Sequence, residues 1–466
     1  MTRRREKKTK IICTIGPASL NLKTIKKMYE AGMDVVRINT AHGDFNQYKE
    51  IINLTRSVGE IPIIVDIKGP EIRTRIRSPR EVTEGDVVVA GFGNEELTFS
   101  YNFYDEVDVG DKILIDNGAI GTKIKKKENG KLYLQVFDAG IIENNKGVNI
   151  PHKKINVPSL SQKDLQAIEF SKEHNVEFLA LSFTRDANDI KNLRAKIGNS
   201  GQAVIAKIEN YSGVKNIAEI IDESDAIMVA RGDLGVEIDY EKVPLIQKNI
   251  IRRCNQLGKA VITATQMLES MINNPTPTRA EASDVANAIL DGSDAVMLSG
   301  ETSIGKYPVE CVEMMTKIAK EAERMVTSKV EMNGYINISQ TVSKSINLIA
   351  NSMPIDKIVT LTRSGYTARM IARFRLKQPI IAVTENEMVK RQLEIVYGVE
   401  PVHLKYRQAP DIIRYTAQIL REKALIQDED YVLFTAGIRT RQPHESNLIE
   451  IHRIADLLSE APKNKI

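Results

Sequence analysis

Residues 203–237 read AVIAKIENYSGVKNIAEIIDESDAIMVARGDLGVE, and this stretch decides the fold. AVIAKIE is apolar until two charges arrive at its end, the pattern of a buried β-strand. Residues two apart on a strand point to the same side, so Lys207 and Glu209 share one. A helix from Gly213 to about Asp222 follows, then a second apolar strand, AIMVAR, stopping at Gly232-Asp233. A crossover of that length makes the two strands parallel neighbours. Lys207, Glu209 and Asp233 then crowd together at the carboxyl ends of adjacent strands. Two carboxylates beside an ammonium suit a divalent metal held by oxygens, and a reaction that develops negative charge on a bound oxygen. The plainer reading is a Lys207–Glu209 ion pair with Asp233 capping a helix. Repetition of the same design along the chain favours the chemical reading.

Upstream, KIICTIGP, VVRIN and PIIVDIKG are strands separated by amphipathic helices, with Asn21 capping the first helix and Gly32 closing it. The rhythm breaks from about Glu71 to Ile155, where VVVAGF, ELTFSY, KILIDNG and LYLQVF recur at hairpin spacing, as in a small all-β insert. It resumes when Ser161 and Asp164 open a helix in capping-box style. FLALSF, AVIAKIE, AIMVARG, KAVITATQ and DAVMLSG follow as strands. Roughly eight strand-helix units result, the number that closes a (β/α)8 TIM barrel. An open doubly wound sheet is the weaker fit, because no G-x-G-x-x-G follows the first strand. After a long helix from about Val309 to Val330 a second α/β rhythm begins. The expected division is therefore 1–70 with 155–332 as the barrel, 71–154 as an inserted β-barrel, and 333–466 as a C-terminal α/β domain.

The 466-residue chain has 42% hydrophobic and 27% charged residues, an ordinary globular composition for two or three domains. No apolar run reaches membrane-spanning length, and the basic MTRRREKKTK start lacks a signal-peptide core. A net charge of +4 with scattered basic residues gives no case for nucleic acid. Cys13, Cys254 and Cys311 are too few and too dispersed for a disulfide framework or zinc site, so a cytoplasmic setting is expected.

In such a barrel the chemistry sits where strands end. Those ends carry Gly16-Pro17; Arg37, Asn39 and His42; Asp66 and Lys68 with Glu71 and Arg73; Ser182; Lys207 and Glu209; Arg231 and Asp233; Thr263, Thr265 and Gln266; and Ser299-Gly300-Glu301. Cations, carboxylates and hydroxyls converging on one rim fit a phosphorylated anion plus a metal. Singly, each has a dull explanation: His42 as a turn residue, Thr265 as packing, Glu301 as a salt bridge to Lys306.

The runs CTIGPAS, DIKGPEIRT, AKIEN, VARGDLGVE, ATQMLESM, PTRAEASDVANA and MLSGET, in this order, resemble the pyruvate kinase family. The resemblance spans nearly the whole barrel, and the insert falls after the third strand as it does there. It implies transfer of a phosphoryl group from phosphoenolpyruvate to ADP, giving pyruvate and ATP. It implies that Lys207 stabilises the phosphoryl group and the enolate, and that Glu209 and Asp233 hold Mg2+. Gly232 and Thr265 would hold the substrate carboxylate, with Thr265 helping to position the proton donor. Arg37 would meet the transferring phosphate, with Asn39, His42, Arg73 and Lys146 on the nucleotide side and the insert acting as a lid. Asn39, Asp66 and the backbone of Ile67 would serve an activating K+. A homotetramer is expected.

RINTAHG departs from the family pattern: Thr40 and Ala41 stand where Phe and Ser are usual, which removes a hydroxyl ligand of the monovalent cation. Weakened K+ affinity is expected. Asp116-Asn117-Gly118 replaces the usual Asp-Asp-Gly. TRSGYTAR, with Thr362, Arg363, Ser364, Gly365 and Thr367, reads either as a cradle for an effector phosphate or as an ordinary capped helix start. AGIRTRQPHESN lacks the segment of fructose-bisphosphate-responsive members, so a sugar or nucleotide monophosphate is the preferred effector. Two rivals stand: a different enolate-forming barrel enzyme acting on pyruvate or phosphoenolpyruvate, and a metabolite sensor with a decayed kinase site.

Overall fold

Burial on both faces explains why the barrel strands read as unbroken apolar runs: helices cover one face and packed side chains the other. The computed structural model describes residues 7–69, 71–153, 155–328, 330, 337–406, 409–437 and 446–459. Eight strands form a closed barrel: β1 (Lys10–Thr14), β2 (Val35–Asn39), β3 (Ile63–Ile67), β4 (Phe178–Leu181), β5 (Ala203–Ile208), β6 (Ala226–Ala230), β7 (Ala260–Ala264) and β8 (Ala295–Leu298). Every neighbouring pair is parallel, and β1 closes on β8 in the register Lys10 with Ala295. Alternation along each strand divides the core. Ile11, Cys13, Val36 and Val65 pack outward against the helices, while Ile12, Val35, Ile64 and Met228 fill the interior.

Local sequence signals account for the helix ends. The Asn21 side chain accepts the Thr24 N–H, and the Ser161–Asp164 capping box forms. Gly32, at φ 137°, ends the first helix, where an added Cβ would fall 2.0 Å from the Thr316 hydroxyl oxygen. Three boundaries differ from expectation. The helix after β5 starts earlier than expected, at Tyr211, because the Asn210 side chain accepts the Gly213 N–H, and it is split at Asn216 into Tyr211–Lys215 and Ile217–Glu223. Arg231 belongs to the next helix, Arg231–Glu237, and not to β6. The long helix after β8 spans Pro308–Glu323 and stops short of Val330.

Between β3 and β4 a second closed barrel of seven strands forms around its own core, which includes Ile72, Leu97, Phe103 and Leu134. One of its strands, Ile120–Glu128, is lysine-rich and was not anticipated. Its signal was alternation: Ile120, Thr122 and Ile124 face inward while Lys123 and Lys125 are exposed. The C-terminal part carries a five-stranded sheet in the order Val399–His403, Ile380–Thr384, Lys357–Leu361, Tyr431–Ala436, Leu448–Arg453, with only the last strand antiparallel.

That sheet and its helices seal the amino-terminal mouth of the TIM barrel. The interior residues of the barrel continue into one cluster with Ile358, Ile371, Phe374 and Leu393. Arg375 clasps Asp294 at 2.9 and 3.0 Å, and Arg391 reaches Glu177 at 2.5 Å. Chemistry is thereby left to the opposite mouth, where the insert sits.

Candidate active site

At that mouth Lys207 ends β5 with its ammonium 2.9 Å from a Glu209 oxygen and 3.2 Å from Asp66. It also donates to the Ser182 hydroxyl at 2.7 Å, and that hydroxyl donates in turn to Asp66 at 3.1 Å. Arg37, from β2, grips the other Asp66 oxygen through Nε at 2.8 Å and Nη2 at 2.7 Å, and its Nη1 bonds Thr14. Two cations thus share one carboxylate, and all of these side chains are buried. Sequence reasoning gave Asp66 only a potassium role; its place between Arg37 and Lys207 makes it the charge centre of the site.

The electrostatics follow from that packing. Burial alone would lower the Lys207 ammonium's pKa, but Asp66 and then Glu209 hold it above the ordinary lysine value. Asp66 is held below the usual carboxylate range despite its burial, by Lys207 and Arg37. Glu209 is pushed up to about 7, chiefly by burial, with Asp233 and Asp66 adding to the rise and Lys207 opposing it. Its second oxygen accepts the Phe183 N–H at 2.6 Å, from a residue in the left-handed region at φ 52°. An added cation near Glu209 would relieve a strained charge balance.

Asp233 lies in the first turn of the Arg231–Glu237 helix and lines the same pocket as Lys207 and Glu209. The preceding Gly232 N–H donates to the Thr265 hydroxyl at 2.8 Å. Thr265 and Gln266 are both left-handed, at φ 66° and 53°, a conformation that costs free energy and persists only when held. Arg231 holds it: the guanidinium donates to the Thr265 carbonyl at 2.7 Å and pairs with Asp284 at 2.6 Å. Thr265 is therefore a fixed hydroxyl and not core packing. Thr263, by contrast, is bonded to Ser293 inside the barrel wall, and Glu301 accepts the Leu268 and Ser299 N–H groups with no recorded pairing to Lys306.

The pocket, about 340 Å³, is lined on the barrel side by Arg37, Asn39, His42, Asp66 and Lys68, and on the insert side by Glu71, Arg73, Asn117 and residues 147–150. Arg73 pairs with Glu71 at 2.6 Å and bonds the Asn145 carbonyl at 2.5 Å. Lys146 turns aside, to Asp116 at 2.9 Å and Glu143 at 3.0 Å, and does not line the pocket. Arg185, Glu237 and Asn149 line it without having been singled out. Glu237 was findable, four residues after Asp233 on one helix face. Asn149 was not, because only the fold brings it there.

Metal fit differs between the two expected ions. Glu209 and Asp233 offer carboxylate oxygens in one pocket, and among the described residues no third His, Cys, Asp or Glu completes a cage. Two carboxylates with the remaining positions left to water and phosphate suit Mg2+. For K+ the expected oxygens each accept hydrogen bonds, as those of Glu209 do, and the difference lies in a missing ligand at residue 41. Asn39 Oδ1 accepts the Ala41 N–H at 3.1 Å, the Ile67 carbonyl accepts the Ser182 N–H at 3.1 Å, and Asp66 serves Arg37 and Lys207. Ala41 supplies no hydroxyl.

In the C-terminal segment, Gly365 is left-handed at φ 75° and its N–H donates to the Thr362 hydroxyl at 3.0 Å. The Thr367 hydroxyl is bonded to Ser446 at 2.6 Å. Gly365 is the N-cap of the Tyr366–Ala372 helix, and no side chain among the described residues caps that start: the Thr362 bond closes the turn before it, and the Thr367 bond ties the first helical turn to residue 446. Most of AGIRTRQPHESN, residues 438–445, lies outside the described residues.

Comparison with known proteins agrees with this geometry. Residues 6–312 match the family described as pyruvate kinase, barrel domain, and residues 340–452 match pyruvate kinase, alpha/beta domain. A pyruvate kinase of Geobacillus stearothermophilus is 42% identical over 98% of this chain and 82% of its own length. One from Staphylococcus aureus (strain USA300) is 41% identical over 97% of this chain and 81% of its own. A crystal structure of a pyruvate kinase from Cryptosporidium parvum superimposes with a TM-score of 0.89 at 34% identity, covering 96% of both chains. With family matches over both the barrel and the C-terminal sheet, and with Lys207, Glu209 and Asp233 gathered at one mouth, the chain belongs to the pyruvate kinase family.

Proposed function

We propose that the mouth pocket carries the reaction of its family, transfer of the phosphoryl group of phosphoenolpyruvate to ADP, giving pyruvate and ATP. One observation carries the assignment of roles: the Lys207 ammonium, within 3.2 Å of Asp66 and Glu209, in a pocket shared with Asp233. Arg37 and Lys207 face the phosphoryl group and neutralise its equatorial oxygens while an ADP oxygen attacks the phosphorus in line. The P–O bond to the enol oxygen breaks as the new one forms, and Lys207 holds the developing enolate. The Gly232 region and the Thr265 hydroxyl orient the substrate carboxylate, with Thr265 placed to help steer a proton to C3. Asn39, His42 and Arg73 serve the nucleotide side. Lys146 joins them only by leaving Asp116 and Glu143. Glu209 and Asp233 would hold Mg2+, which would supply positive charge against the substrate's anionic groups. Potassium has the poorer fit, and its activation of this chain is expected to be weak.

The working domain division stays 1–70 with 155–332, 71–154, and 333–466. No described helix is long and apolar enough to cross a membrane, and we place the enzyme in the cytoplasm as a homotetramer, like other members of its family. The turn at Thr362, Arg363, Ser364, Gly365 and Thr367 is the proposed effector contact, taking a phosphorylated metabolite. The test is pyruvate release from phosphoenolpyruvate with and without ADP. Strict ADP dependence is expected. Release without ADP favours another enolate-forming enzyme, and binding without turnover favours a sensor.

A further inference from the structure

The Glu237 side chain is 7% exposed, yet among the described residues no cation pairs with it. A carboxylate so placed is costly unless its hydrogen bond matters. Its recorded partner is Asn149, whose side-chain amide donates to Glu237 Oε1 at 2.9 Å. Asn149 ends the insert strand Gly147–Asn149, and residues 147–150 line the pocket. Beside this bond the insert touches the same helix a second time. Gly118, left-handed at φ 84°, comes so near Val236 that an added Cβ would lie 3.5 Å from its methyl group. The Arg231–Glu237 helix also carries Asp233, one turn earlier. Elsewhere, Arg185 holds the carbonyls of Ile155 and Val157, where the chain re-enters the barrel. Arg185 thereby ties down the chain at its re-entry, and the contacts of Asn149 and Gly118 tie the insert to the Arg231–Glu237 helix.

We infer that Glu237 is the positioning residue that seats the inserted β-barrel over the pocket, holding Asn149 from the helix that carries Asp233. The inference rests on reading the pocket as the phosphoryl-transfer site. Through this bond the nucleotide side of the cleft, built partly by the insert, is kept in register with the acid at Asp233. Neither Glu237 nor Asn149 needs to touch the reacting atoms.

The test is a double-variant cycle with Glu237→Ala, Asn149→Ala and the pair, with Glu237→Gln as the conservative control. Steady-state kinetics for ADP and phosphoenolpyruvate are paired with hydrogen–deuterium exchange of residues 147–150. Each Ala variant is expected to raise KM for ADP about fivefold or more, with a smaller change in kcat. The pair should be no worse than the worse single variant. Gln, which keeps an acceptor carbonyl, should restore both KM and slow exchange. Multiplying rather than saturating effects, a Gln variant as impaired as Ala, or exchange unchanged by Glu237→Ala would each overturn the inference. Absence of ADP-dependent turnover in the unaltered enzyme would overturn the functional reading instead, and the exchange measurement would still judge the seating contact.

Discussion

Replacing Lys207 by methionine removes one charge while nearly keeping volume, and it tests the centre of the proposed chemistry. A unit charge pair at the 2.9 Å separation seen between Lys207 and Glu209 is worth about 6 kcal/mol at an effective dielectric of about 20. That attraction exists before reaction, since the ammonium already serves Asp66 and Glu209, so it sets the scale of a charge contact and not the catalytic gain. Cations at phosphoryl-transfer sites contribute on the order of 10³-fold in kcat, about 4 kcal/mol, and a loss of that size is expected. Stability changes as well. Glu209 loses its ion partner and Asp66 keeps only Arg37, and breaking a buried pair this way costs about 3–5 kcal/mol. The assay is initial-rate pyruvate formation at saturating ADP, phosphoenolpyruvate and Mg2+, run at a temperature where circular dichroism shows the variant folded. Lys207→Arg separates charge from geometry: it keeps the charge but not the compact ammonium, and intermediate activity is expected. A folded Lys207→Met enzyme retaining turnover within tenfold of the parent would refute the role given to this residue.

Arg375→Met should destabilise the protein by about 3–5 kcal/mol, because Asp294 loses a bidentate partner that is itself buried; a thermal-unfolding midpoint within a degree of the parent's would contradict this. Activity in potassium should exceed that in a large organic cation only modestly, because Ala41 supplies no hydroxyl ligand; a steep, saturating potassium requirement would show the site intact. Burial, reinforced by the Asp233 charge, pushes Glu237 up to about 7, and so the folded state takes up a proton that the unfolded chain releases near 4.5. The stability gained is therefore full below about 4.5 and lost as pH rises through about 7, a change of about 3 kcal/mol. Glu237→Gln should flatten that dependence, so that unfolding midpoints at pH 5 and pH 8 move closer together; an unchanged gap would count against it. Cys13, Cys254 and Cys311 are buried with thiol pKa values raised by burial, that of Cys311 to about 12. Thiol reagents should label the native enzyme far more slowly than the denatured chain.

Much of the site was legible before any coordinates. AVIAKIE and AIMVAR declare themselves as buried strands, and strand period places Lys207 beside Glu209 without further help. The capping box at Ser161 and the cap at Asn21 are local, involving groups a few residues apart, and local interactions can be read from spacing. The lysine-rich Ile120–Glu128 strand was missed because its charges mask an alternation that only a closed sheet rewards. The end of the Pro308–Glu323 helix was misjudged because Val326 and Val330 go on packing against the core after the helix has ended, so the apolar pattern outlasts it.

By itself the sequence determined the eight-fold strand rhythm, the mouth where chemistry gathers, and the family's substrate class, since these rest on period and motif. Tertiary structure alone decided that Asp66 stands between Arg37 and Lys207, that Lys146 turns to Asp116, and that Asn149 meets Glu237. Those contacts join residues 29, 141, 30 and 88 positions apart for the pairs Arg37–Asp66, Asp66–Lys207, Asp116–Lys146 and Asn149–Glu237. Contacts at such separations depend on how barrel closure and the seating of the insert bring distant strand ends together, and no local spacing encodes that.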